Sequence, residues 1–250
     1  MHVCTTFSMG PATLAEMFHF RGDGMCGRIT QFSDLRLFAV AMGWDSSVAE
    51  HVGDLRPRYN VAPQTEVWAF DRLNSQALGR CEAITWGYKP HWARADKTRR
   101  VVINARIESV PTSGYYRGLW AARKRVIVPA DGWYEWPVID GVKRPQFISR
   151  REGPCFFAGL ADVWEEQPAG GMVIITSDAD GGLVDVHDRR PVVLDGEDAR
   201  LWLDPALAPE GAENLLRTGM LAADTFQWWE VGKEVGNVRN QGPQLVVPVQ

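Results

Sequence analysis

The stretch RVIVPADGWYEW, residues 125–136, decides the fold. Its first half is an apolar run too short for a helix. Its second half sets aromatic residues around an acid after Asp131-Gly132. Two short strands joined by a tight bend account for both halves. Further segments rich in Val, Ile, Phe and Trp lie outward from it at 26–31, 66–70, 82–87, 100–104, 145–149, 155–163 and 172–177. Asp140-Gly141 and Gly170-Gly171 punctuate them as turn signals. Helical periodicity is confined to 33–42, where Ser33 can cap, and to 113–123, 196–203 and 209–218. Strands and helices do not alternate regularly, which disfavours a doubly wound parallel sheet. The reading is α+β, a single domain with a mostly antiparallel, β-barrel-like core and flanking helices.

The chain has 250 residues, 45% apolar and 23% charged, enough to bury a core without disulfides or metal. Its 11 Trp, 10 Phe and 5 Tyr exclude a disordered chain. The apolar runs, such as MVIIT at 172–176, are strand-sized, so no membrane span is expected. The cysteines at 4, 26, 81 and 155 have no CxxC spacing, and no Cys/His pair sits at ligand spacing. Neither a disulfide framework nor a metal or other cofactor is expected, and a reducing, cytoplasmic compartment is. GxSxG, HExxH, Walker A and GxGxxG are all absent. The net charge of −4 hides a segregation: residues 86–151 carry a balance of +9 and residues 152–250 one of −11. The basic middle can form a local anion-binding face; a solvated surface is the plainer reading.

Several residues can carry chemistry. Cys26 follows Met25, and removal of that methionine would leave a 1,2-aminothiol whose amine and thiol both titrate near physiological pH. The amine can condense with an aldehyde and the thiol can close a thiazolidine ring. A buried cysteine in the first strand is the alternative. Glu135, flanked by aromatics, suits proton transfer if apolar surroundings raise its pKa, or it is an acid on an outward strand face. His187, among charges in VHDRRP, can serve as a general acid or base, or simply hold a loop. Asn104 and Arg106 end an apolar strand, with an amide and a guanidinium suited to positioning and phosphate pairing. In TWGYKPHWAR (85–94) the aromatics interleave with bases. His91 and Trp92 there suit stacking along a single strand, whereas Trp86 reads as core. Trp228 and Trp229 read as core as well.

Seven segments in order resemble the SOS response-associated peptidase (SRAP), or abasic-site-processing, family: MCGRIT (25–30), RYNVAPQT (58–65), WGYKPHWA (86–93), INARIES (103–109), PADGWYEW (129–136), ITSDADGGLVDVHDRRPVVL (175–194) and GNVRNQG (236–242). The resemblance spans about 25–250. It implies a cleft for single-stranded DNA and covalent capture of a ring-opened abasic sugar by an amino-terminal cysteine. Carried over by motif, the nucleophile is Cys26, the orienting amide Asn104, and the proton-moving groups Glu135 and His187. Arg28, Arg106 and Arg189 fall where phosphates are contacted, and His91 and Trp92 in the base-wedging loop, with His91 replacing a first tryptophan. The implied partner is single-stranded DNA containing abasic sites, with the protein a monomer at the nucleoid. A cysteine peptidase and a non-catalytic single-strand binder are the competing readings. Residues 1–24 carry no secretory pattern. Translation from Met25, or removal of a leader before Cys26, is expected, with residues 25–250 as the functional domain.

Overall fold

The computed structural model describes residues 27–52, 56–72, 79–164 and 167–249. The strands begin with β1 (Ile29–Gln31), β2 (Arg58–Val61), β3 (Glu66–Asp71), β4 (Arg80–Thr85) and β5 (Asn104–Arg106). Next come β6 (Arg125–Ala130), β7 (Gly132–Glu135), β8 (Val138–Ile139), β9 (Val142–Lys143) and β10 (Gln146–Arg150). The last are β11 (Cys155–Trp164), β12 (Gln167–Asp178), β13 (Arg189–Pro191), β14 (Val193–Leu194) and β15 (Phe226–Glu230). Helices are α1 (Leu35–Ala41), α2 (Arg117–Ala121), α3 (Gly196–Trp202) and α4 (Pro209–Thr218).

The fold is α+β, and among the described residues its pairing is antiparallel except where β5 lies parallel beside β12 and in a single parallel bridge between Trp86 and Met172. One sheet has the order β15-β10-β7-β1-β2. The other runs β13-β12-β11-β6-β3-β4, with β14 on β11 and β5 on β12. Both sheets are open, not closed into a barrel. Three layers of apolar side chains explain the stacking. Ile29, Trp133 and Ile148 of the first sheet meet Val126, Val128, Phe157, Met172 and Ile174 of the second, forming an inter-sheet core. The helices cover the second sheet's far face through Phe38, Trp120, Trp202 and Leu216 on Ile127, Phe156, Val173 and Ile175. This is why 126–128 and 172–175 are continuous apolar runs: alternate residues enter different cores, so neither face is left to water. The first sheet's outer face is covered by residues 231–246, with Val235 and Leu245 on Tyr134 and Phe147.

Local departures from the sequence reading have identifiable causes. Helix α1 starts at Leu35 because Asp34, not Ser33, caps it by accepting from the Arg36 amide; the Ser33 hydroxyl instead donates to Asp131. Helix α2 is only five residues long, and Arg123 turns left-handed at its exit (φ 54°). The strand expected at 100–104 begins instead at Asn104, while Val102 pairs with Tyr88 in a single bridge. Asp140-Gly141 does make a hairpin turn, with φ of 52° and 74°.

Gly170-Gly171 is no turn. It lies inside β12, where the strand crosses close to the 86–89 segment. A Cβ on Gly171 (φ +85°) would sit 1.9 Å from the Gly87 carbonyl oxygen. That closeness permits the Gly87 amide to donate to the Met172 carbonyl at 2.9 Å. Gly171→Ala must therefore bear a left-handed backbone and a backbone clash together. A loss of about 2 kcal/mol or more is expected in denaturant unfolding. A variant as stable as the parent would show that this crossing is not tight.

Candidate active site

Strand β1 leads into the site. It pairs with β7 so that Ile29 opposes Trp133, and the Tyr134 amide donates to the Arg28 carbonyl at 2.9 Å. Continuing that register sets Gly27 level with Glu135. Trp133 and Glu135 are two residues apart and share a strand face. Trp133 fills the inter-sheet core, and Glu135 at its margin is 3% exposed. Cys26 lies outside the described residues; its covalent neighbour Gly27 is half-buried. Arg28 is turned inward: its Nη1 donates to Asn60 Oδ1 (2.6 Å) and to the Val235 carbonyl (2.9 Å). Its guanidinium also lies 5.4 Å from the Trp136 ring centroid, and burial lowers its pKa.

The second sheet supplies the amide and the imidazole. Asn104 opposes Ile174 and Arg106 opposes Thr176 in the parallel pair, so both project to the side Ile174 occupies, toward the first sheet. The acid of one sheet and the amide of the other thus enter one inter-sheet layer. The Trp86 indole fixes this strand by donating to the Ile103 carbonyl (3.0 Å), and the Tyr116 hydroxyl donates to that of Asn104 (3.1 Å). Arg106 is exposed and makes no ion pair among the described residues.

His187 follows a short helical turn, Gly181–Asp185, pinned into the inter-sheet core by Leu183 and Val186. Its Nδ1 accepts from the Arg189 backbone amide at 3.0 Å. The same Nδ1 lies 2.8 Å from Asp188 Oδ1, so this edge of the ring is held by its own loop and Nε2 makes none of these contacts. Arg189 itself is buried. Its guanidinium holds Glu108 (2.9 Å), Asp178 and the Thr176 carbonyl (2.9 Å). Burial alone would lower its pKa, but its hydrogen bonds to the two carboxylates outweigh it and raise it. Burial tends to raise the pKa of Glu108, yet the Arg189 hydrogen bond holds it below the usual range.

Beside these lies the His91–Ala93 turn, tethered by buried Ala93. His91 is exposed, and Trp92 is 56% exposed, with Arg99 over its ring at 4.7 Å and Tyr115 edge-on at 5.6 Å. Arg99 and Tyr115 are functional candidates that the sequence reading passes over, as are Asn60, Glu108 and Asp178. The signal for Asn60 and Glu108 was their place inside RYNVAPQT and INARIES. The basic middle is partly spent internally: Arg94 pairs with Asp162, Arg144 with Glu230, and Arg125 binds the Leu207 carbonyl. Lys97, Arg99, Arg100, Arg106 and Arg117 stay exposed. Cys81 and Cys155 are buried, with thiols pushed up to about 12 by desolvation, so neither is a ready nucleophile. No group of three or more metal-ligating side chains occurs among the described residues, and no helix is long and apolar enough to cross a membrane.

Residues 25–238 match the family model described as SOS response associated peptidase (SRAP). The chain is 39% identical over 230 residues to the abasic site processing protein YedK of Escherichia coli (strain K12), covering 90% of this chain and 100% of that one. It is 33% identical over 228 residues to the abasic site processing protein YoqW of Bacillus subtilis (strain 168), covering 89% and 99%. Among solved structures, a phage-related protein from Bordetella bronchiseptica superposes with a TM-score of 0.68 at 36% identity, over 83% of this chain and 95% of that one. The chain belongs to the SOS response associated peptidase (SRAP) family.

Proposed function

We propose that this protein processes abasic sites in DNA, and does so by capturing the ring-opened sugar of a single-stranded lesion as a covalent adduct on Cys26. The observation that carries the reading is the β1–β7 register, which sets the residue bonded to Cys26 level with buried Glu135. The names of the relatives, abasic site processing proteins, supply the substrate class.

The chemistry balances with these groups alone. The α-amine adds to the sugar aldehyde and loses water to give an imine, with Glu135 moving the protons. The thiol then adds to the imine carbon, its proton passes to nitrogen, and a thiazolidine closes. His187 donates a proton to the sugar ring oxygen as the ring opens. Asn104 orients the sugar from the opposite sheet. An abasic nucleotide has no base to unstack, so extruding it costs little. Trp92 and His91 stack against neighbouring bases, and Arg106 contacts a phosphate. Arg28 and Arg189, committed to protein partners, hold the walls of the site in this reading.

The test is incubation of protein beginning at Cys26 with an abasic oligonucleotide, read on a denaturing gel. A heat-stable shift is expected. A shift under native conditions only would favour a non-catalytic single-strand binder. In a parallel sample of the chain that retains residues 1–25, loss of those residues by intact mass with no DNA adduct would favour a cysteine peptidase, the activity in the family's name. Affinity for single strands should fall with salt at a slope near −0.7 per phosphate contacted, and Arg106→Ala should remove about one contact from that slope. An unchanged slope would take Arg106 off the backbone path.

A further inference from the structure

The site's first strand is fastened by the far end of the chain through one side chain. Asn60, on β2, is 2% exposed. Its Oδ1 accepts from Arg28 Nη1 at 2.6 Å. Its Nδ2 donates to the carbonyls of Val235 (3.1 Å), Asn237 (3.0 Å) and Asn240 (3.2 Å). The Val235 carbonyl also accepts from Arg28, so amide, guanidinium and carbonyl close a triangle. Gln241 clamps the same strand separately, accepting from the Tyr59 and Asn60 amides and donating to the Asn60 carbonyl (3.0 Å). None of the Gln241 hydrogen bonds among the described residues goes to Arg28.

We infer that Asn60 is a positioning residue for the reaction proposed above, acting through Arg28 on the backbone that carries Cys26. A guanidinium held at two points on a buried scaffold cannot swing, and it sits two residues from the nucleophile. Removing the acceptor leaves the guanidinium hydrogen-bonded to Val235 alone, beside the Trp136 ring, and leaves the Tyr134–Arg28 backbone hydrogen bond to hold the start of β1 against β7 with less support. A misplacement of about 1 Å near reacting atoms can cost about 10²-fold in rate. DNA affinity should not follow, because Asn60 is buried and touches no surface that a strand could reach. The inference rests on the covalent-capture reading.

The experiment compares Asn60→Ala, Asn60→Asp and Gln241→Ala with the parent chain. It measures thermal stability, affinity for an oligonucleotide carrying a non-reactive tetrahydrofuran abasic analogue, and the single-turnover adduct rate at saturating abasic DNA. Asn60→Ala is expected to lower the saturating rate by about 10- to 100-fold while affinity stays within about twofold. Gln241→Ala is expected to lose stability and keep its rate within about twofold. Asn60→Asp retains the acceptor for Arg28 and should keep its rate within about threefold despite losing donors to the three carbonyls. If Asn60→Ala does not fold, Asn60→Asp decides: a rate drop above about tenfold overturns the inference. So does a parent-like rate in Asn60→Ala, or rates that fall in step with stability across all three variants. Failure of the parent chain itself to form an adduct would overturn the covalent-capture reading instead, a result distinguishable from all of these.

Discussion

A chain whose first residue is Cys26 is expected to form a heat-stable adduct with abasic single-stranded DNA, and the same chain with residue 25 still attached is expected to form none. The reason is the nitrogen. An α-amine with a pKa near 7.7–8.0 has a useful neutral fraction at physiological pH, whereas an amide nitrogen has its lone pair delocalised and cannot yield an imine. Cys26→Ser isolates the sulfur. An alcohol closes the five-membered ring poorly, so the adduct should stall at a hydrolysable imine and vanish on heating, with non-covalent binding kept. Denaturing gels together with intact mass read both results. Equal heat-stable adduct from a chain verified by mass to retain residue 25 would remove the α-amine from the mechanism.

Glu135→Gln and His187→Ala should each slow adduct formation by about 10²-fold or more at saturating DNA, the usual range for losing a proton-transfer group. Glutamine keeps the shape and polarity of a side chain that is 3% exposed. His187 is 28% exposed at its side chain, and among the described residues its Nδ1 contacts only the Arg189 amide and the exposed Asp188 carboxylate of its own loop. Neither substitution should abolish folding. The two should differ in one respect: His187→Ala ought to be rescued in part by a pre-opened aldehyde substrate, since its proposed task is ring opening, and Glu135→Gln ought not. Parent-like single-turnover rates in both variants would leave these residues as parts of the scaffold.

The layers of the fold were legible where burial imposes a period. The apolar run at 125–128 and the one at 172–175 read correctly as strands because both of their faces are covered. Strands β2 and β15, by contrast, carry Arg58, Gln227 and Glu230 half-buried and the polar Asn60 fully buried, and no alternation marks them out. Whether sheets close into a barrel depends on how edges meet, which a one-dimensional pattern does not encode. At the site, residue types offered the chemistry proposed for Cys26, Glu135 and His187. The environment of the arginines was not legible. The resemblance put Arg28 and Arg189 against phosphates, and both guanidiniums are engaged by groups as remote in sequence as Val235 and Glu108. A guanidinium carries no local mark of its eventual partner. Trp92 was legible as exposed because bases and a proline surround it; the Arg99 stacked over it was not.

The segment that grips Asn60 and Arg28 is synthesised long after the strands it holds. Its contacts to Arg28 and β2 span 175 to 207 residues of chain. At roughly 5–20 residues per second of synthesis, about one to three seconds separate the end of α4 from Val235, and far longer separates β1 and β2 from it. During that interval the outer backbone of β2 has no Gln241 to occupy it, and it stands as an open edge of the kind that recruits other strands. A nascent or prematurely terminated chain would therefore hold an assembled core and an unfastened amino terminus. Competence for chemistry is in this way tied to synthesis of residues 235–241, and fragments ending short of residue 235 should accumulate as aggregates rather than as partly active protein.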